Sequence, residues 1–121
     1  MTEANAFDKE KAKSFTERML SDIAGTVVTH FCAIGDRLGL FKDLALQGPA
    51  SVAEFATRNT IDQRYAQEWL EGLASAGYLD FDSSTCVFSL PAEHERLLAQ
   101  DTHPMYQGAM CNLQTYSLEP M

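Results

Sequence analysis

Cysteine is scarce in this chain. There are three, Cys32, Cys86 and Cys111, widely spaced and with no CxxC pair among them. An odd, scattered set argues against a disulfide framework and against a zinc site, and idle thiols in a reducing cytosol are the simpler reading. Positive charge is also short. Nine lysines and arginines face 17 acids, for a net charge of −8. That balance disfavours nucleic acid, which is bound largely by basic groups neutralising phosphates. No apolar run is long enough to span a membrane. The opening MTEANAFDKEKAK has no apolar stretch behind its charges, so it is no secretory signal. A cytoplasmic protein is expected.

Glycine is present but never in the right spacing for a nucleotide loop. The seven glycines stand at 25, 35, 39, 48, 72, 77 and 108, and no two are separated by a single residue. No GxG element exists, so no Rossmann cofactor loop or phosphate loop is encoded. The three histidines, His30, His94 and His103, lie in no metal-ligand spacing, and there is no GxSxG elbow. His30 falls inside an apolar helical pattern, where a packed and hydrogen-bonded histidine is the expected role. His94 lies among Glu93, Glu95 and Arg96 on what reads as an exposed helix. No catalytic, cofactor-binding or metal-ligating residue is assigned in this chain.

What remains is a helical pattern with a short β insertion. At 121 residues and 45% hydrophobic, the chain suits one domain with a real core. Residues 1–7 read as a tail. From residue 8 to 41, Phe15, Met19, Ile23, Val27, Phe31, Ile34 and Leu38 recur at spacings of three and four. They draw one apolar stripe along a long helical segment. Gly25 interrupts that stripe, so a bend or break is expected near it. A short helix follows at 43–47, stopped by Gly48 and Pro49. Ser51-Val52-Ala53-Glu54 has the form of a capping box and opens a helix to about Arg58 that buries Val52, Phe55 and Ala56. Asp62 caps the next helix, which runs to about Ala76 with Tyr65, Trp69, Leu73 and Ala76 on one face. Gly77 stops it. The period then changes from 3.6 to 2. Residues 78–81 and 86–90 alternate around a polar loop at 82–85, which predicts a β-hairpin. Helices are expected at 92–100 and from about 104 to 121.

The order predicts a mainly α fold: a winged helix-turn-helix core with long N-terminal helices and one β-hairpin wing. We read residues 1–121 as a single domain. Its parts are a long helical dimerisation segment at 8–41, the winged-helix core at 42–91, and a helical lead-in at 92–121 to a catalytic domain absent from this sequence.

A winged helix raises DNA binding as a function. The candidate recognition helix, 62–76, carries Asp62, Glu68 and Glu71 against Arg64 alone. The wing, 78–90, carries Asp80 and Asp82 and no base. Both elements that would meet phosphates have the wrong sign. Lys9, Lys11 and Lys13 gather instead at the N-terminus. A small dimeric winged-helix transcription regulator therefore stands as the alternative reading. The stripe is more telling. A domain this small offers few partners for so long an apolar face, and a second copy of the chain is a natural one. Met19, Ile23, Val27, Phe31 and Ile34 are the expected dimer-interface residues. A third possibility is a small-ligand site between long helices, lined by Met19, Phe31, Met105 and Tyr106. The bland account of those four, as core or interface, is preferred.

The run from residue 35 to 91 resembles the N-terminal region of a bacterial group of S-adenosylmethionine-dependent class I methyltransferases, some described as winged-helix regulators. The pieces that carry the likeness are DRLGLF, the serine-capped VAEFA, RYAQEWLEGLASAGYL, and FSLP after the wing. ERLLAQDTHPMYQGAM is similar to the stretch before the catalytic domain in that group. The likeness covers about residues 14–110, and RYAQEWLEGLASAGY is its most specific part. It implies an N-terminal domain that intertwines with its partner's in a homodimer and roofs the pocket of a small-molecule substrate. It also implies that S-adenosylmethionine is held by a following Rossmann-like domain. No catalytic or cofactor residue of that domain has a matching position here.

Overall fold

The computed structural model describes residues 6–100. Five helices and one hairpin follow in the order expected of a winged helix-turn-helix. Helix α1, Lys9–Leu38, is a single unbroken helix of 30 residues. At 1.5 Å per residue it is about 45 Å long. Asp8 caps it, its carboxylate accepting from the amides of Glu10 and Lys11 at 3.0 and 3.1 Å. The expected interruption at Gly25 does not occur. Nothing lies within 4 Å of where a Cβ would stand at Gly25, so this glycine answers to no tertiary demand. The hydrogen-bond ladder on either side is enough to carry the helix through it. The break comes at Gly39, in the left-handed region at φ 72°, and α2, Leu40–Gln47, starts at the next residue. Leu40 and Phe41 therefore belong to α2 and to the core, not to the long segment.

Helix α3, Val52–Asn59, opens with the expected capping box. The Ser51 hydroxyl accepts from Glu54 N at 3.3 Å, and the Glu54 carboxylate accepts from Ser51 N at 3.0 Å. These bonds hold the Glu54 carboxyl below its ordinary pKa, the backbone amide of Ser51 contributing most. Thr60 ends α3 in the left-handed region at φ 54°. Asp62 then caps α4, Gln63–Ser75, accepting from Arg64 N at 2.8 Å. The face α4 buries is Ala66, Trp69, Leu70 and Leu73. Tyr65 and Ala76, expected on that face, are exposed. The helix has room for only one apolar face, and Ala66 and Leu70 beside Trp69 and Leu73 already fill it.

Trp69 is the hub of the core. Its ring stacks on Phe55 at 5.6 Å between centroids and meets Phe41 obliquely at 5.0 Å. Its Nε1–H donates to the Phe31 carbonyl at 2.8 Å, so it ties α4 to α1 as well. Gly35 of α1 and Gly72 of α4 allow the close approach. A Cβ on Gly35 would lie 2.6 Å from the Trp69 ring and 2.7 Å from that of Phe41. Arg58 closes the other end, donating to Asp43 at 2.6 and 3.1 Å and to the Gly48 carbonyl at 2.9 Å.

The wing pairs β1, Asp80–Asp82, with β2, Val87–Ser89, in antiparallel register, Phe81 opposite Phe88. The turn is 83–86, one residue later than expected, because Asp82 completes the strand and Cys86 takes a positive φ of 58°. Asp82 fastens the turn by accepting from the Ser84 hydroxyl and amide at 2.6 and 2.9 Å, which lowers its pKa. Backbone bonds between Ala50 and Phe88 stitch the wing to the start of α3. Pro91 leads into α5, Ala92–Leu98, two residues shorter than expected. His94 Nδ1 donates to the Tyr78 carbonyl at 2.8 Å and pins α5 to the root of the wing. The helix expected at 104–121 lies outside the described residues. No helix among the described residues is long and apolar enough to cross a membrane.

Candidate functional site

Two halves of α1 live in different surroundings. Val28, Phe31, Cys32 and Gly35 pack toward the winged-helix core. From residue 9 to 27 every side chain but Ala12 is exposed. That stretch of 19 residues stands out from the core as an arm about 28 Å long. An isolated helix of this length is marginal in water, because packing rather than propensity supplies most helical stability.

The arm is also oily. Phe15, Met19, Leu20, Ile23 and Val27, with Ile34 and Leu38 further on, are each between 43% and 61% exposed. They form one continuous ridge that no other described residue covers. Of the residues expected at a dimer interface, Met19, Ile23, Val27 and Ile34 stand on this ridge. Phe31 does not stand free. It is half-buried, with its ring turned onto Gly72 of α4, where a Cβ would lie 2.5 Å away. Leu20 was not singled out in the sequence. The seven-residue spacing of Leu20, Val27 and Ile34 is the signal that places it on the same face. Met105 and Tyr106, named for a possible ligand site, lie outside the described residues.

At its C-terminal end the ridge runs into a cavity of about 310 Å³. Phe31, Ile34 and Leu38 form one wall, and Ile61, Tyr65 and Trp69 the other, with the Glu68 carboxylate as the one charged group. A second cavity of about 440 Å³ lies behind the wing, between Val52, Ala74, Phe81 and Phe88.

Electrostatics around the winged helix are negative. On α4 the guanidinium of Arg64 is drawn to Glu68 at 3.5 Å, and Glu71 accepts from Gln67 at 3.0 Å. Arg58, the base in the last turn of α3, is spent on Asp43. The wing presents Asp80 and Asp82 and no base. Among the described residues no group of three histidines, cysteines or carboxylates could hold a metal ion. His30 is occupied structurally, its Nδ1 donating to the Thr26 carbonyl one turn back at 2.9 Å.

A family model for the Rv2258c-like winged HTH domain matches residues 25–100. The chain belongs to this family. Solved structures of similar fold include proteins named as methyltransferases. The Rv2258c-like domain matches PigF with SAH at a TM-score of 0.69 and 24% identity, over 90% of this chain and 29% of that one. It matches human N-acetylserotonin methyltransferase in complex with SAM at 0.68 and 22%, over 91% and 31%. The O-methyltransferase family 2 protein from Planctomyces limnophilus DSM 3776, in complex with apigenin, matches at 0.68 and 22%, over 84% and 29%. At such identity the likeness is one of fold. The chain spans less than a third of each of these proteins. No curated protein matches it. Among the described residues the one sheet is the two-stranded hairpin of the wing.

Proposed function

We propose that this winged domain is the N-terminal dimerisation and substrate-lid domain of an S-adenosylmethionine-dependent small-molecule methyltransferase. It works as a homodimer in the cytoplasm and is not catalytic alone. Chemistry and cofactor belong to a part of the enzyme outside these residues. In this reading the long helix up to Gly39 dimerises, the winged core gives it a rigid base, and residues 92–121 lead toward the catalytic part.

The observation that carries the reading is the uncovered ridge on the arm. Full burial of a Val, Ile, Leu, Met or Phe side chain is worth about 1.5–3 kcal/mol. Leaving five of them on a helix with no neighbour among the described residues wastes the very term that would hold the helix. A two-fold related copy supplies the cover with the same surface. The methyltransferase assignment is supported by the shared fold with the proteins named above. A lid role follows from the same packing: an apolar helical layer held by two chains excludes water from whatever it covers.

Sedimentation of the 121-residue chain and of Val27→Asp is the test. The wild type is expected to be dimeric and the variant monomeric or insoluble. A soluble dimer with aspartate at 27 would refute the interface. Fluorescence anisotropy with duplex DNA at low ionic strength addresses the regulator reading. No binding is expected at micromolar protein. Affinity that falls steeply with salt would favour a regulator over the enzyme domain.

A further inference from the structure

We propose that the cavity between α1 and α4 is the seat for the arm of a second copy of this chain, with the partner's Phe15 entering between Ile34 and Tyr65. The proposal rests on the dimer reading and adds where the arm goes.

Three observations converge on that occupant. The first is continuity. The cavity is the end of the ridge, since Ile34 and Leu38 belong to both. Two α1 helices paired antiparallel about an axis between Ile23 and Val27 bring the partner's Phe15 to the level of residues 31–39. That is where the cavity opens. About 150 Å³ is enough to take a benzene ring in an apolar cavity. This one, at about 310 Å³, has room for a phenyl group and part of a neighbour.

The second is charge. The start of the arm carries Lys9, Lys11 and Lys13. The α4 surface beside the cavity carries Asp62 and Glu68, the latter at the cavity wall with Arg64 3.5 Å from it. Lys11 precedes Phe15 by one helical turn and on the same side. With the ring seated, its ammonium comes to the Glu68 edge. The surfaces that repel a duplex therefore attract this arm.

The third is area. A helical face about 28 Å long and 10 Å wide covers about 280 Å². Two arms, each with an equal area beneath it, bury roughly 1,100 Å². That reaches the ~1,000 Å² expected of a specific interface. Ridge against ridge at a single crossing, without the cavity, falls short of it.

Tyr65 makes the proposal testable, because it lines the cavity yet stands on α4, off the ridge, and is exposed enough to be replaced without touching the core. Within one chain Phe15 lies 16 residues, about 24 Å along α1, from Phe31 at the cavity wall. Energetic coupling between positions 15 and 65 therefore has to pass between chains. The experiment is a double-mutant cycle on dimer Kd, with Phe15→Ala, Tyr65→Ala and both, in the full 121-residue chain by sedimentation equilibrium. Circular dichroism checks that helix content holds. Phe15→Ala is expected to raise Kd about tenfold or more, as for a central aromatic anchor. Tyr65→Ala is expected to raise it severalfold, and the double variant by clearly less than the product of the two. A dimer whose Kd ignores Tyr65→Ala, or in which the two effects multiply, overturns the seat and leaves the ridge dimer standing. A wild-type chain that stays monomeric at every concentration overturns both.

Discussion

Two glycines of the long helix give opposite predictions for one and the same substitution. In a helix interior glycine costs about 1 kcal/mol relative to alanine. At Gly25 that is the whole account. The position is exposed, nothing lies within 4 Å of a new Cβ, and it faces away from the ridge. Gly25→Ala is expected to stabilise the domain by about 0.5–1 kcal/mol. At Gly35 the same gain meets two rings at 2.6 and 2.7 Å. Neither ring has room to give. Trp69 is held by its bond to the Phe31 carbonyl and by its stack on Phe55, and Phe41 is 1% exposed. Overpacking of this kind costs about 1–3 kcal/mol, so Gly35→Ala is expected to destabilise by about 1–2 kcal/mol net. For a domain of this size each kcal/mol moves Tm by roughly 4–8 °C. Thermal unfolding at one fixed protein concentration reads both variants, with the concentration fixed because dimerisation would itself shift Tm. The two should move Tm in opposite directions. A Gly35→Ala protein as stable as the wild type would show that α1 does not lie against Trp69 as described.

Other expectations follow from single contacts. Ser51→Ala removes the cap of α3 and should cost about 0.5–2 kcal/mol in urea unfolding, a loss that Ser51→Asp should largely avoid. The Glu54 carboxyl is held below its ordinary value of 4.5 by the bonds to Ser51. A lowered pKa contributes stability above that value, and the contribution fades as pH drops through the folded-state pKa. Glu54→Gln should therefore lower Tm in the neutral range, with the difference from the wild type shrinking as pH drops below ~4.5. Arg58→Ala leaves Asp43, a mostly buried carboxylate, without its guanidinium. It should cost about 1.5–3 kcal/mol, measured against Asp43→Ala and the double variant to isolate the pair.

The local pieces of this fold were legible because each depends on a few neighbouring residues. Ser51 and Glu54 three apart close a capping box wherever the chain lies. Asp62 caps α4, and the change of period after Gly77 marks the wing, for reasons that need no tertiary contact. The absence of any GxG spacing and the acidity of α4 and the wing are likewise written in composition. Three matters waited for the tertiary structure. Gly25 and Gly39 look alike in a helical pattern, yet one is passed over and the other turns the chain, because only at Gly39 must Leu40 and Phe41 swing into the core. Tyr65 and Phe31 share the spacing of their neighbours, but which of them reaches the interior depends on where α1 crosses α4, and that is set by Gly35, Gly72 and the Trp69 ring between them. Last, an apolar stripe announces that a helix will be covered somewhere. Only the packed structure tells which part its own chain covers, since burial is a property of what lies opposite and not of the residue that is buried.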